Sequence, residues 1–345
     1  MDQFQGGPSE SNSLARQDPD GATRIATAGE ALIDLIARPD GRFDACLGGA
    51  VFNLTRAIAR QGVGVCYLNP LSGDRFGRQL ALALVQDGVA LAEPEPVSQV
   101  SSLAVVAVDG AGHPDYAFYR QGVADRATSA DRLGRHCAGL GALRMVCTGA
   151  LALAADDAGT YLPWLAGQRA AARTIVVDAN LRPSAMADPA VYRANVHVAL
   201  QLADIIKVSD EDLELLGIPG ADPLQRARAL LHSGSARLLA LTLGPAGACL
   251  LARDGRCWQA AEAAPVTVVD TVGAGDCFLA GVLVAALRRS PANCEWLDHL
   301  DDELARHLLA HALASATLCV LRHGADPPNW GAVCERVARQ PCRFA

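Results

Sequence analysis

Three short runs, TIVVDAN, DIIKV and RLLALTL, constrain the fold most. Each is an unbroken series of β-branched and aliphatic residues, without the polar alternation of a strand that has one wet face. Such strands lie inside a largely parallel sheet, and parallel neighbours need crossover connections that cover both faces with helices. The intervening segments have helical period at 156–172, 190–202 and 223–233. The same alternation opens the chain, from the run RIATAGEALIDL through VFNLTRAIARQGV and GVCYLN to DRFGRQLALALVQDGV, and LRMVCTGAL supplies a further strand. ACLLARDG and RCWQAA read as a hairpin. The fold class expected is therefore α/β, a mainly parallel central sheet flanked by helices on both faces. Two stretches break this rhythm, residues 37–47 and 100–121, which read as short strands with turns near Gly41 and at 109–112. They are expected to form a small β-sheet lid. Residues 1–22 are polar and rich in Gly, Pro and Ser, with too few apolar groups to offset the entropy of ordering, and read as a disordered tail before a single domain over 23–340.

The chemistry concentrates in VVDTVGAGDCFLAGVLVAALRR, residues 268–289. A β-branched run leads into a glycine-rich turn, and a helix is expected to begin near Asp276 with Phe278, Val282 and Ala285 on one face. Around Gly273, Ala274 and Gly275 little side chain blocks the backbone. Their N–H groups and the helix N-terminus make a site for an anion such as a phosphoryl group. A carboxylate at Asp276 would repel that anion if it were only a cap, yet it is useful as a base that takes a hydroxyl proton. The bland alternative is a glycine turn with an Asp N-cap.

Other phosphate devices are missing. GxGxxG would need glycine at Phe278, and GxxxxGK[ST] would need a glycine before the only lysine, Lys207, which follows Ile206. A net charge of -7 argues against a nucleic-acid partner. Eleven cysteines without a CxxC pair suggest reduced thiols in a cytoplasm rather than disulfides or zinc. Apolar stretches end well before the ~20 residues that cross a bilayer, so no membrane partner is expected. His307 and His311, at i and i+4, lack a third metal ligand and read as a helix-surface pair. Cys277 reads as packing beside the proposed base.

DTVGAGDCFLAG resembles the C-terminal signature of the ribokinase-like (PfkB-type) carbohydrate kinases, DT.GAGD.F..G. Four further elements match in the family's order: Gly48-Gly49-Ala50-Val51-Phe52-Asn53 (GGxxxN), Gly73-Asp74-Arg75-Phe76-Gly77 (GxDxFG), Asp178-Ala179-Asn180-Leu181-Arg182 (DxNxR) and Thr242-Leu243-Gly244-Pro245-Ala246-Gly247 (TxGxxG). The resemblance implies a ribokinase-like fold and direct transfer of a phosphoryl group from ATP, with Mg2+, to a sugar hydroxyl, Asp276 being the base. It implies that Asp34, Gly49 and Asn53 bind the sugar. Lys207, Thr242, Gly244, Gly247, Gly273, Gly275 and Gly324 would serve ATP, the helix at 308–325 walling the adenine pocket where Leu313 replaces the asparagine of many relatives. KVSDED departs from the family's KxNxxE, with Ser209 for asparagine and Asp212 for glutamate. Asp212 is expected to hold Mg2+ through water, although SDEDLELL also reads as a capped helix start with acids at the positive dipole end. Asp270 lies where some relatives bind a monovalent cation, K+.

The GEALIDL opening, FYRQGVADR, KVSDED and the closing GADPP look most like bacterial fructokinases, which implies fructose as substrate, with Arg120 reaching it from the lid. The rival is 2-keto-3-deoxygluconate kinase, which shares the GE opening but must bind a carboxylate. From another class comes a non-catalytic sugar- or nucleotide-sensing protein, against which the retained Asp276 argues. The partners expected are fructose and ATP, with a homodimer formed through the lid.

Overall fold

The computed structural model describes residues 22–38, 40–108, 114–183, 186–290 and 294–345. The tail read at 1–21 and the turn read at 109–112 lie outside them. In chain order the elements begin β1 (Thr23–Thr27), β2 (Leu32–Ala37), β3 (Phe43–Gly48), α1 (Ala50–Arg60), β4 (Gly64–Tyr67), α2 (Arg75–Gln86), β5 (Ala90–Leu91), β6 (Ser102–Val108) and β7 (Pro114–Tyr119). The middle of the chain forms α3 (Ala130–Gly139), β8 (Met145–Gly149), α4 (Ala158–Ala170), β9 (Thr174–Asp178), α5 (Pro189–Leu202), β10 (Ile205–Ser209), α6 (Asp210–Leu215) and α7 (Pro223–Ser233). It closes with β11 (Leu238–Thr242), β12 (Ala248–Ala252), β13 (Cys257–Ala261), α8 (Ala274–Arg289), α9 (Asp302–Val320), α10 (Trp330–Arg339) and β14 (Arg343–Phe344).

Ten strands make the large sheet, in the order β14-β13-β12-β11-β10-β9-β8-β1-β4-β5. From β5 to β11 every pairing is parallel, and β12, β13 and β14 complete the sheet antiparallel. The three runs that predicted buried strands are β9, β10 and β11, and β9 is buried along its whole length. One apolar core lies between the sheet and α1, α2, α8 and α9; the other lies under α3, α4, α5 and α7, around Leu133, Trp164, Tyr192 and Leu230. Helix α8 is buried on all sides from Asp276 to Leu287, which explains a sequence apolar all round rather than along one stripe.

Four strands form the small sheet, in the order β3-β2-β6-β7. It contains the expected lid segments, but it starts earlier than residue 37. The run RIATAGEALIDL divides in two, β1 entering the large sheet and β2 the small one. The crossing is pinned at Gly29, whose carbonyl accepts the Tyr67 hydroxyl at 2.7 Å and whose N–H donates to Asn69 Oδ1 at 2.9 Å. At the other end, β14 pairs with β13, so the fold runs past residue 340. His311 departs from its surface assignment, being 6% exposed with its ring stacked on Trp330 at 4.9 Å.

Candidate active site

The carboxyl ends of β9 and β10, the loop before α8 and the start of α1 converge under the small sheet on a cleft of about 230 Å³. Open α/β sheets bind ligands at this edge, where loops leave the strand ends. Asp34, Gly49, Asn53, Lys207, Gly273, Gly275 and Asp276, scattered over the chain, all line it.

Helix α8 starts at Ala274, two residues before the expected start, with Gly273 as its N-cap. Gly273 has φ 79°, and a side chain there would strike Ala325 at 2.9 Å. Ala274 N–H closes the turn onto Thr271 O at 3.2 Å, which takes it from the expected anion-binding set. Among the described residues, the amides of Gly273 and Gly275 make no hydrogen bond within the protein, as befits the first turn of a helix, and are left for an anion.

Asp276 is 6% exposed. Its Oδ2 accepts from Asn53 Nδ2 at 3.1 Å, which joins the N-termini of α1 and α8. Burial, reinforced by the charge of Asp178, pushes the Asp276 carboxyl up to about 7, against the pull of Lys207, Asn53 and Arg182. A carboxyl there is half ionised at neutral pH, the range suited to a general base. Lys207 is 4% exposed and pairs with Asp178 at 3.0 Å. Burial opposes its charge, but Asp178, Asp212 and Asp276 together hold its ammonium above the usual range.

Asp34 stands on β2, so the small sheet carries the carboxylate expected to meet sugar. Burial raises it to about 6, and Arg182 works the other way. Gly49, just before α1, has φ 104°, and a side chain there would lie 2.8 Å from Glu30 O, so the tight entry to α1 requires glycine.

Arg120 is a correction. Arg120 is 9% exposed, and its guanidinium donates to Asp125 at 3.1 Å, Asp157 at 3.0 Å and the Leu151 carbonyl at 3.1 Å. It lines a neighbouring cavity of about 610 Å³ instead of the cleft. The arginine in the cleft is Arg182, from the DANLR segment, lying 6.0 Å from the Tyr116 ring of β7. Asn180, from the same segment, lines the cleft with φ 34°, a conformation asparagine tolerates better than most residues. Glu30 and Tyr116 complete the set that sequence reasoning did not single out; DxNxR and the GE opening were the available signals.

Asp212 is a second correction. Its Oδ1 accepts the Leu181 N–H and its Oδ2 the Ser209 N–H, both at 2.8 Å, while Ser209 Oγ accepts the Asp212 N–H. This is a capping box that ties α6 to the DANLR segment. Asp270 is engaged in a similar way, by Val272 N–H at 3.0 Å and Gly324 N–H at 2.9 Å, which binds the loop before α8 to the turn after α9. Among the described residues no three His, Cys, Asp or Glu side chains gather as a metal site. These residues form no protein cage for a divalent ion. Thr242, Gly244 and Gly247 follow the same sheet edge, Thr242 beside Ser209, but stand outside the cleft lining. Leu313 is part of the core behind it.

The pattern of the pfkB family carbohydrate kinases matches residues 22–331. The chain belongs to this family. It is similar to the fructokinase of Rhizobium leguminosarum bv. trifolii, 33% identical over 310 residues that cover 88% of this chain and 87% of that one. The fructokinase of Salmonella typhimurium is 30% identical over 76% of this chain and 84% of its own length. Among solved structures, fructokinase with bound ATP from Xylella fastidiosa superposes with a TM-score of 0.80 at 27% identity, covering 92% of this chain and 98% of that chain. Aminoimidazole riboside kinase from Salmonella enterica shares the fold, with a TM-score of 0.74 at 23% identity over 92% of this chain and 100% of its own. The cleft brings together the small-sheet carboxylate Asp34, the unpaired amides of Gly273 and Gly275 and the raised carboxyl of Asp276.

Proposed function

We propose that this chain is an ATP-dependent fructokinase that converts D-fructose and ATP to fructose 6-phosphate and ADP. The observation that carries the reading is the buried Asp276 carboxyl, raised to about 7, at the start of α8 between Asn53 and the unpaired Gly273 and Gly275 amides. In the reaction Asp276 takes the proton of the sugar hydroxyl as its oxygen bonds to the γ-phosphorus, the bond to the β-phosphate oxygen breaks, and ADP leaves on the far side. The Gly273 and Gly275 amides and the α8 dipole stabilise negative charge on the transferring group. Asp34 and Asn53 orient the sugar, the charge of Arg182 favours the ionised Asp34, and Lys207 with Asp178 keeps the floor of the cleft in place. A divalent ion such as magnesium, bound together with the nucleotide, would supply charge neutralisation. The adenine side is assigned to Gly324, Thr242, Gly244 and Gly247.

Similarity to the Rhizobium and Salmonella fructokinases supports fructose. Eleven free thiols support a reducing, cytoplasmic setting, and no helix among the described residues is long and apolar enough to cross a membrane. Phe43 and Tyr119, exposed on the two edge strands of the small sheet, support pairing of two copies through the lid. The test is ADP release from ATP across fructose, tagatose, ribose, 2-keto-3-deoxygluconate and adenosine. Fructose should give the highest kcat/KM, and a preference for the keto acid or adenosine overturns the assignment.

A further inference from the structure

The GE opening contains a residue that the phosphoryl-transfer chemistry leaves unused. Glu30 follows the crossing point at Gly29, is 1% exposed and lines the cleft. One carboxyl oxygen, Oε1, accepts the N–H of Ala50 at 2.9 Å, which anchors the start of α1. The other, Oε2, is buried and has no partner in the protein. Asn53, one turn further along α1, is in the same position: Nδ2 is spent on Asp276, and Oδ1 is buried without a partner. A buried polar atom left unpaired is costly, and two of them on one cleft mark where a ligand's polar groups belong.

We propose that Glu30 is a specificity-determining residue of the sugar site, its Oε2 bonding one non-reacting hydroxyl of the bound sugar while Oε1 stays on Ala50. The inference rests on the sugar-kinase reading and extends it to a group outside the reacting atoms. Burial, partly offset by Arg120 and reinforced by Asp125, raises the Glu30 carboxyl to about 8. At neutral pH it is therefore mostly the neutral acid, which can donate a hydrogen bond to a hydroxyl oxygen, while Asn53 Oδ1 can only accept. The pair thus presents one donor and one acceptor to a polyol.

The test pairs protein variants with deoxy sugars. Fructose and its 1-deoxy, 3-deoxy and 4-deoxy analogues are titrated calorimetrically into wild type, Glu30→Gln and Glu30→Leu. Wild type should lose roughly 10- to 100-fold in affinity for the one analogue that lacks the partner hydroxyl. Glu30→Leu should bind fructose correspondingly weakly but lose nothing further with that analogue. Glu30→Gln, which keeps an acceptor for Ala50 and a donor for the sugar, should restore the wild-type pattern. Equal losses with every analogue in Glu30→Leu would reduce Glu30 to an anchor for α1 and overturn the proposal. Should Glu30→Leu fail to fold, a crystal structure of wild type with fructose and ADP decides: a sugar oxygen within hydrogen-bond distance of Oε2 supports the proposal, and its absence overturns it. If fructose neither binds nor turns over while another sugar does, the fructose assignment fails by itself, and the same cycle with deoxy forms of that sugar still tests Glu30.

Discussion

The carboxyl edge of the large sheet and the small sheet above it contribute to one cleft but are built differently. Below, β9 is wholly buried, and Asp178, Lys207 and Asp276 are each 4–6% exposed within a mesh of opposing charges. Above, β3 alternates exposed and half-buried residues, and Phe43 and Tyr119 on the edge strands are 52% and 61% exposed. The dense layer can hold a base and an anion loop in a single geometry, as electrostatic preorganisation requires. The thin sheet brings Asp34 to the same cleft with exposed edge strands beside it, so on the proposed reading opening and closing is expected on the sugar side. On the proposed reading the reaction groups lie below, and recognition draws on both layers, through Asp34 above and Asn53 and Arg182 below.

The strongest blow to that division is aimed at the lower layer. Asp276→Asn should lower kcat about 10²–10⁴-fold, the usual value of a general base, while ATP binding survives. Turnover within a few-fold of wild type would remove Asp276 from the proton transfer.

The two arginines sharpen the comparison. Arg120→Ala strips a buried partner from Asp125 and Asp157 and should cost about 3–5 kcal/mol of stability, visible as a melting temperature roughly 5–15 °C lower. An unchanged melting temperature with a tenfold higher KM for fructose would return Arg120 to the sugar site. Arg182→Ala should do the opposite, raising the fructose KM about 5- to 100-fold with little change in that for ATP. Equal effects on both substrates would break the assignment of Arg182 to the sugar side.

Smaller effects follow from protonation. Because the Asp276 pKa is raised to about 7, kcat/KM should fall as pH drops below 7, when the base becomes protonated; Asp34, at about 6, should add a loss of sugar binding at still lower pH. The effect on stability has the opposite sense. The folded state holds the Asp276 proton more tightly than the unfolded chain does, so the contribution of that group is complete below about 3.8 and is lost as pH rises through 7. Asp276→Asn stays neutral throughout, and its melting temperature should gain on wild type between pH 4 and 8. A difference independent of pH would mean that Asp276 is not raised.

Much of this protein can be read along the chain where the physics is local. Unbroken aliphatic runs reveal buried strands, because a strand with no wet face cannot alternate, and the proposed anion loop and base are neighbours in VGAGD, so one turn and one helix start build them. The capped start of α6 was equally local, and Asp212 serves there by its contacts with Ser209 and Leu181. Long-range choices had no such signal. RIATAGEALIDL reads as one run, yet the chain switches sheets within it at Gly29, β1 pairing with β4 and β8 and β2 with β3 and β6. Arg182 belongs to DANLR, but that pattern does not show that Arg182 and not Arg120 enters the cleft. Only packing brings Asp125 and Asp157 to Arg120 and Asp34 and Tyr116 to Arg182. The sequence by itself determined the strand layer and the glycine-rich turn with its Asp276, the proposed phosphoryl-transfer loop, whose parts lie within a few residues of one another. The tertiary structure decided which charges meet in the cleft and how far burial shifts them, since both depend on distances across the fold and on the exclusion of water.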